Sequence, residues 1–117
     1  MKKHKILIPL FSDQIAPRFD LATNVCIVII EDNLFQQKTV VLPRPSAEDL
    51  CYYILTEKID TVICGGIEDE YFQYLIWKKV NVIDNVIGSC NNVIKRLRTE
   101  FPCSGDILRP FFELEEI

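Results

Sequence analysis

The sequence predicts a mixed α/β domain whose β-rich first half runs into a second half of alternating strands and helices. Three observations lead there. Apolar, β-branched runs stand at 5–11, 25–31 and 34–42; helical spacing begins at 46; and the order strand, helix, strand, helix fills residues 60–101.

"KILIPLF" (5–11) is the first strand, and its Pro9, which has no N–H to give a ladder, belongs at an edge, a bulge or a point where pairing stops on one side. "VCIVIIE" (25–31) and "LFQQKTVVL" (34–42) flank Asp32-Asn33, a turn pair suited to a tight hairpin. "SAEDLCYYILTEK" puts Ala47, Leu50, Cys51 and Ile54 on one helical face, with Ser46 as cap and Asp49 as a short capping-box partner. "DTVIC", "EDEYFQYLIWKK", "VNVID" and "SCNNVIKRLRTEF" then give strand, helix, strand and helix. In the last helix Cys90, Val93, Ile94, Leu97 and Phe101 share a core-facing stripe, and Ser89 caps the start. The expected architecture is a five-stranded mixed sheet covered by helices, with the first, fourth and fifth strands parallel.

The chain has 117 residues, which fits one domain able to bury about 65% of its unfolded surface. The division expected is a domain over 1–101 and a C-terminal tail over 102–117, whose "ILRPFFELEEI" docks on the domain or on a partner. A formal charge of −4 without a basic stripe argues against nucleic acid as a partner. "KRLR" (95–98) lies late in a helix, where cations complement the dipole. No run approaches the ~20 apolar residues of a membrane span, and "MKKHKILIPLF" lacks the features of a cleavable leader, so a cytoplasmic protein with no membrane partner is expected. The five cysteines, at 26, 51, 64, 90 and 103, form no C-x-x-C pair and are expected as reduced thiols. His4 is expected to be solvated.

Ligands of open α/β sheets gather outside the carboxyl ends of the parallel strands. "SDQIAPRFD" (12–20), "CGGI" (64–67) and "NVIGSC" (85–90) should converge there. Gly65 and Gly66 permit close backbone approach, and the Gly66 and Ile67 amides near a helix start favour an anion, although Glu68, Asp69 and Glu70 already fill that first turn. Cys64 and Cys90 would flank one crevice as soft thiolate ligands, or else be small core residues like Cys26 and Cys51. Arg18 would face an anionic ligand or pair with Asp20. No nucleotide motif is present, and carboxylates at 13, 20 and 84 are too few to suggest a two-metal hydrolase.

"KILIPLFSDQIAPRFDLATNVCIVIIED", "IDTVICGGI" and "VNVIDNVIGSCNNVI" together resemble the dinitrogenase iron–molybdenum cofactor biosynthesis family, over residues 4–100. The resemblance implies a three-layer α/β/α ribonuclease H-like fold of strand order 3-2-1-4-5 with strand 2 antiparallel. It implies a nitrogenase accessory factor-like protein that binds anionic iron–sulfur or iron–molybdenum cofactor precursors and passes them between cluster-assembly and recipient proteins. Carried over, Arg18, Phe19, Cys64, Gly65 and Gly66 would line the cluster pocket; the reading of the crevice adds Gly88 to the binding residues and makes Cys64 or Cys90 the thiolate metal ligand. Where cofactor-carrying members often have a histidine in an S-x-H-F-G loop, this chain has Arg18 within Ala16-Pro17-Arg18-Phe19-Asp20.

The leading expectation is therefore a noncatalytic carrier of an anionic metal–sulfur cluster. The alternative is a regulatory protein–protein interaction module that binds no metal. An enzyme with Cys64 as nucleophile is disfavoured, because the lone histidine starts the first strand, far from the crevice. The oligomeric state is left open.

Overall fold

The computed structural model describes residues 3–108. Its sheet has six strands: β1 (Lys3–Phe11), β2 (Gln14–Ile15), β3 (Asn24–Glu31), β4 (Leu34–Val41), β5 (Thr61–Ile63) and β6 (Asn81–Ile83). Three helices, α1 (Ala47–Thr56), α2 (Asp69–Trp77) and α3 (Cys90–Leu97), complete the order. The strands lie side by side as β4-β3-β1-β5-β6, and β2 pairs with β1 alone. The expected count of five and its 3-2-1-4-5 numbering are thus corrected by β2, a two-residue strand too short to leave a period in the sequence. It folds back from β1 through Ser12, which sits at a φ of 62°.

β3 runs antiparallel to both β1 and β4, while β1, β5 and β6 are parallel. Pro9 is accommodated because β5 pairs with β1 only at Ile6 and Leu7. Beyond that point the Pro9 carbonyl accepts the Ala16 amide at 2.9 Å, so β1 is free of β5 where its proline stands.

Alternation along the strands supplies both faces of the sheet. Leu7, Ile27 and Val62 meet Leu50 and Ile54 of α1 and Leu75 of α2 on one face. Ile6, Ile8, Val28 and Ile63 meet Val93, Ile94 and Leu97 of α3 on the other. Ser46 caps α1, its Oγ accepting the Asp49 amide at 3.2 Å, and Ser89 caps α3 by accepting the Asn92 amide at 3.1 Å.

Three local expectations need correction. The Asp49 carboxylate does not close a capping box; it takes the Arg44 guanidinium at 2.9 Å. α3 ends at Leu97, so Phe101 falls past the stripe, 38% exposed, with its ring edge-on to His4. His4 is half-buried rather than solvated, and its Nε2 lies 2.9 Å from the Thr61 hydroxyl. Residues 102–108 return to the sheet edge, where Leu108 is buried in the α3-side core and its amide donates to the Ile87 carbonyl at 2.8 Å. The remainder of the expected tail lies outside the described residues.

Candidate functional site

The three loops expected at the carboxyl edge do meet. The Phe19 amide donates to the Gly66 carbonyl at 2.7 Å and the Gly66 amide to the Pro17 carbonyl at 2.8 Å, so loop 12–20 is stitched to the turn after β5. The Ile15 amide donates to the Gly88 carbonyl at 2.9 Å, and the Asn85 amide to the Gly65 carbonyl at 2.9 Å, which ties in the loop after β6. Between these segments lies a hollow of about 540 Å³, lined by Gln14, Ile15, Pro17, Gly65, Gly66, Asn85, Val86, Ile87 and Gly88.

Of the residues singled out in the sequence, Gly65, Gly66 and Gly88 line this hollow. The others are placed differently. Cys64 is fully buried and packs with Phe19, Val62 and Leu75 on the α1–α2 side of the sheet. Its thiol is pushed up to about 12, first by burial and then by the charge of Asp84, which is the reverse of what a thiolate ligand needs. Phe19, 2% exposed, is a core side chain rather than a pocket wall. Arg18 grips Asp20 with two hydrogen bonds, Nε to Oδ1 at 3.1 Å and Nη2 to Oδ2 at 2.9 Å, so its charge is already matched.

Cys90 is not across the crevice from Cys64. It packs against the opposite face, half-buried beside Cys26, and the hydrogen bond between the two thiols raises the Cys26 thiol and lowers that of Cys90. The two expected ligands thus lie on opposite sides of the sheet. Among the described residues, no three of His, Cys, Asp and Glu come together as a metal site.

The glycines have a clear physical reason. A Cβ on Gly65 would run into the Ala16 carbonyl oxygen and stand 2.9 Å from that of Pro17. The backbone that approaches this turn is the chain's own loop, and the Gly66 amide expected for an anion already serves it. What remains open is an uncharged surface: the carboxamides of Gln14 and Asn85 among Ile15, Pro17, Val86 and the exposed Ile87. Sequence reasoning did not single out these six, although all lie in the segments expected to converge. Their only sequence signal was that position.

Scans against protein-family models and against curated proteins find no match. Solved structures do match. The protein PH0822 superposes with a TM-score of 0.74 at 21% identity, covering 83% of this chain and 92% of its own. The Methanococcus jannaschii protein described as a "putative dinitrogenase" gives 0.64 at 22% identity in its solution structure, over 85% of this chain and 86% of its own. Its crystal structure gives 0.56 at 26% identity over 72% and 77%. A protein from Thermotoga, described as a "putative NifB protein" of the DUF35 family, gives 0.61 at 14% identity over 83% and 89%. The fold of this chain is therefore one it shares with proteins carrying dinitrogenase and NifB names.

Proposed function

We propose that this chain is a noncatalytic binding protein that carries a compact, anionic metal–sulfur species in the hollow at the carboxyl edge of its sheet. The observation that carries this reading is the character of the lining, apolar with two carboxamides and, among the described residues, no charged side chain. Such a wall suits a soft anion of diffuse charge, whose sulfide surface sheds water easily, far better than a phosphate that must keep strong ionic partners. The names borne by proteins of the same fold point to the same cargo class.

The chain's part is to enclose the cargo, not to ligate it. Cys64 is sealed and Cys90 lies elsewhere, so the metals must arrive with sulfide or other ligands already saturating them. The Gln14 and Asn85 amide groups would donate hydrogen bonds, and Ile87, 61% exposed, would close the mouth. Cluster-assembly and recipient proteins would be the partners.

Tetrathiomolybdate is a suitable probe, since its metal is fully coordinated by sulfide. Anaerobic titration followed by visible absorption and calorimetry should show one bound anion per chain. Ile87→Glu should weaken binding at least tenfold, Ile87→Lys should retain it, and Cys64→Ala should leave it unchanged. An absence of binding, or binding lost in Cys103→Ser but kept in Ile87→Glu, would overturn the reading in favour of capture by the exposed thiol.

A further inference from the structure

A second cavity, of about 420 Å³, opens between α1 and α2 and shares no lining residue with the hollow. It is lined by Glu48, Cys51 and Tyr52 from α1, and by Glu70, Tyr71 and Tyr74 from α2. Residue 48 lies one turn before 51 and 52, and residues 70 and 71 one turn before 74, so each helix offers one carboxylate and at least one ring to the same groove. Cys51, 4% exposed, is the floor; Tyr52, 73% exposed, is a standing wall.

Three features select the occupant. First, neither Glu48 nor Glu70 takes part in an ion pair among the described residues; the Arg44 guanidinium, whose charge Glu48 also feels, is paired with Asp49 at 2.9 Å. Second, the groove carries a negative field. The Tyr71 phenol is raised by loss of solvent and then by Glu70, Glu48 and Glu68, and the Cys51 thiol is pushed up to about 11 by burial and then by Glu48. Third, aromatic rings on this side attract cations: the Lys78 ammonium sits 4.7 Å from the centre of the Trp77 ring and 5.7 Å from that of Tyr74, while among the described residues none lies over Tyr52.

A hard divalent ion would need more converging carboxylates than the two present. A planar guanidinium fits better, because it stacks on aromatic faces and pairs with a carboxylate at its edge. The groove is large enough for one such side chain and its stem, and the net charge of −4 favours a basic approach.

We propose that the α1–α2 groove binds an arginine side chain presented by a partner polypeptide, stacked on the exposed Tyr52 ring between Tyr71 and Tyr74 and paired with Glu48 and Glu70. The site is separate from the hollow, so cargo and partner would be held at once.

The test is an NMR titration of the full chain with an acetylated, amidated Gly-Arg-Gly peptide, alongside its citrulline counterpart, which keeps the shape and loses the charge. The arginine peptide should shift the ring signals of Tyr52, Tyr71 and Tyr74, and the citrulline peptide should bind at least tenfold more weakly. The double variant Glu48→Gln/Glu70→Gln alters two exposed positions, so it keeps the fold, and it should lose at least tenfold in affinity. Equal binding of the two peptides, undiminished binding by the double variant, or no ring shifts up to about 10 mM peptide, beyond the weakest useful affinity, would overturn the proposal. None of these outcomes bears on the thiomolybdate result, so the two readings fail separately.

Discussion

The carboxyl-edge hollow and the α1–α2 groove are cavities of similar size built by opposite means. The hollow is framed in part by main chain: Pro17, Gly65, Gly66 and Gly88 contribute backbone surfaces whose hydrogen bonds close on one another, beside the side chains of Gln14, Asn85 and Ile87. The groove is framed by rings, carboxylates and Cys51 on two regular helices, whose backbone is hydrogen-bonded within each helix. A main-chain frame cannot be altered without disturbing the fold; a side-chain frame can be remodelled freely. Rigidity and adaptability are thus assigned to different ends of one small molecule.

The sharpest way to break this contrast is Gly65→Val. Its side chain would have to share space with the Ala16 and Pro17 carbonyls, neither of which can retreat without breaking the seam to Gly66. Overpacking against main chain should cost more than about 3 kcal/mol, read as a collapse of the thermal transition. A variant that melts near the wild type would show the seam to be slack.

Behind that seam, Cys64 tests whether the wall excludes water. Its thiol has an ordinary value of 9.0 and is raised to about 12 in the fold, so the folded state keeps its proton where the unfolded chain has released it. The stabilisation is complete below pH 9 and is lost as pH rises towards 12. Chemical denaturation across that window should show stability falling, and Cys64→Ala should flatten the slope. An unchanged slope would mean that other groups govern alkaline unfolding.

The smallest effect is expected in the groove. Tyr52→Ala removes a ring that is 73% exposed, and it should shift stability by less than about 0.5 kcal/mol while abolishing the arginine-dependent ring shifts. A large loss of stability would mean that the rings serve packing instead.

What the sequence disclosed follows the range over which its signals act. The strands at 5–11, 25–31 and 34–42 and the caps at Ser46 and Ser89 are local patterns, and each is found where the pattern puts it. The convergence of three loops at the sheet edge was legible too, because parallel topology dictates it. The fate of Cys64 was not. Its position at the end of a strand was correct, but the loop that covers it comes from Ala16–Phe19, more than forty residues earlier, and no spacing encodes that lid. Cys90 was misplaced because the sheet separates it from Cys64, a matter of which face each helix covers. The groove went unseen for a similar reason: Glu48 and Tyr52 lie off the apolar face of Ala47, Leu50, Cys51 and Ile54, and no local pattern marks them until α2 is laid beside them.

β4 carries a last consequence. It is exposed or half-exposed along its whole length, Gln36, Gln37, Lys38 and Thr39 standing between Phe35 and Val40. With so little buried, hydrophobic contact, from Phe35 on one face and Val40 on the other, decides only weakly which residue of β4 faces which residue of β3. That decision falls to Asp32 and Asn33, held at φ values of 53° and 67°, whose twist sets the eight-residue ladder from Leu34 opposite Glu31 to Val41 opposite Asn24. Two turn residues act as the zip-pull for the whole hairpin. The glutamines and lysine they leave on the rim also make it a poor template for a stray strand from another molecule.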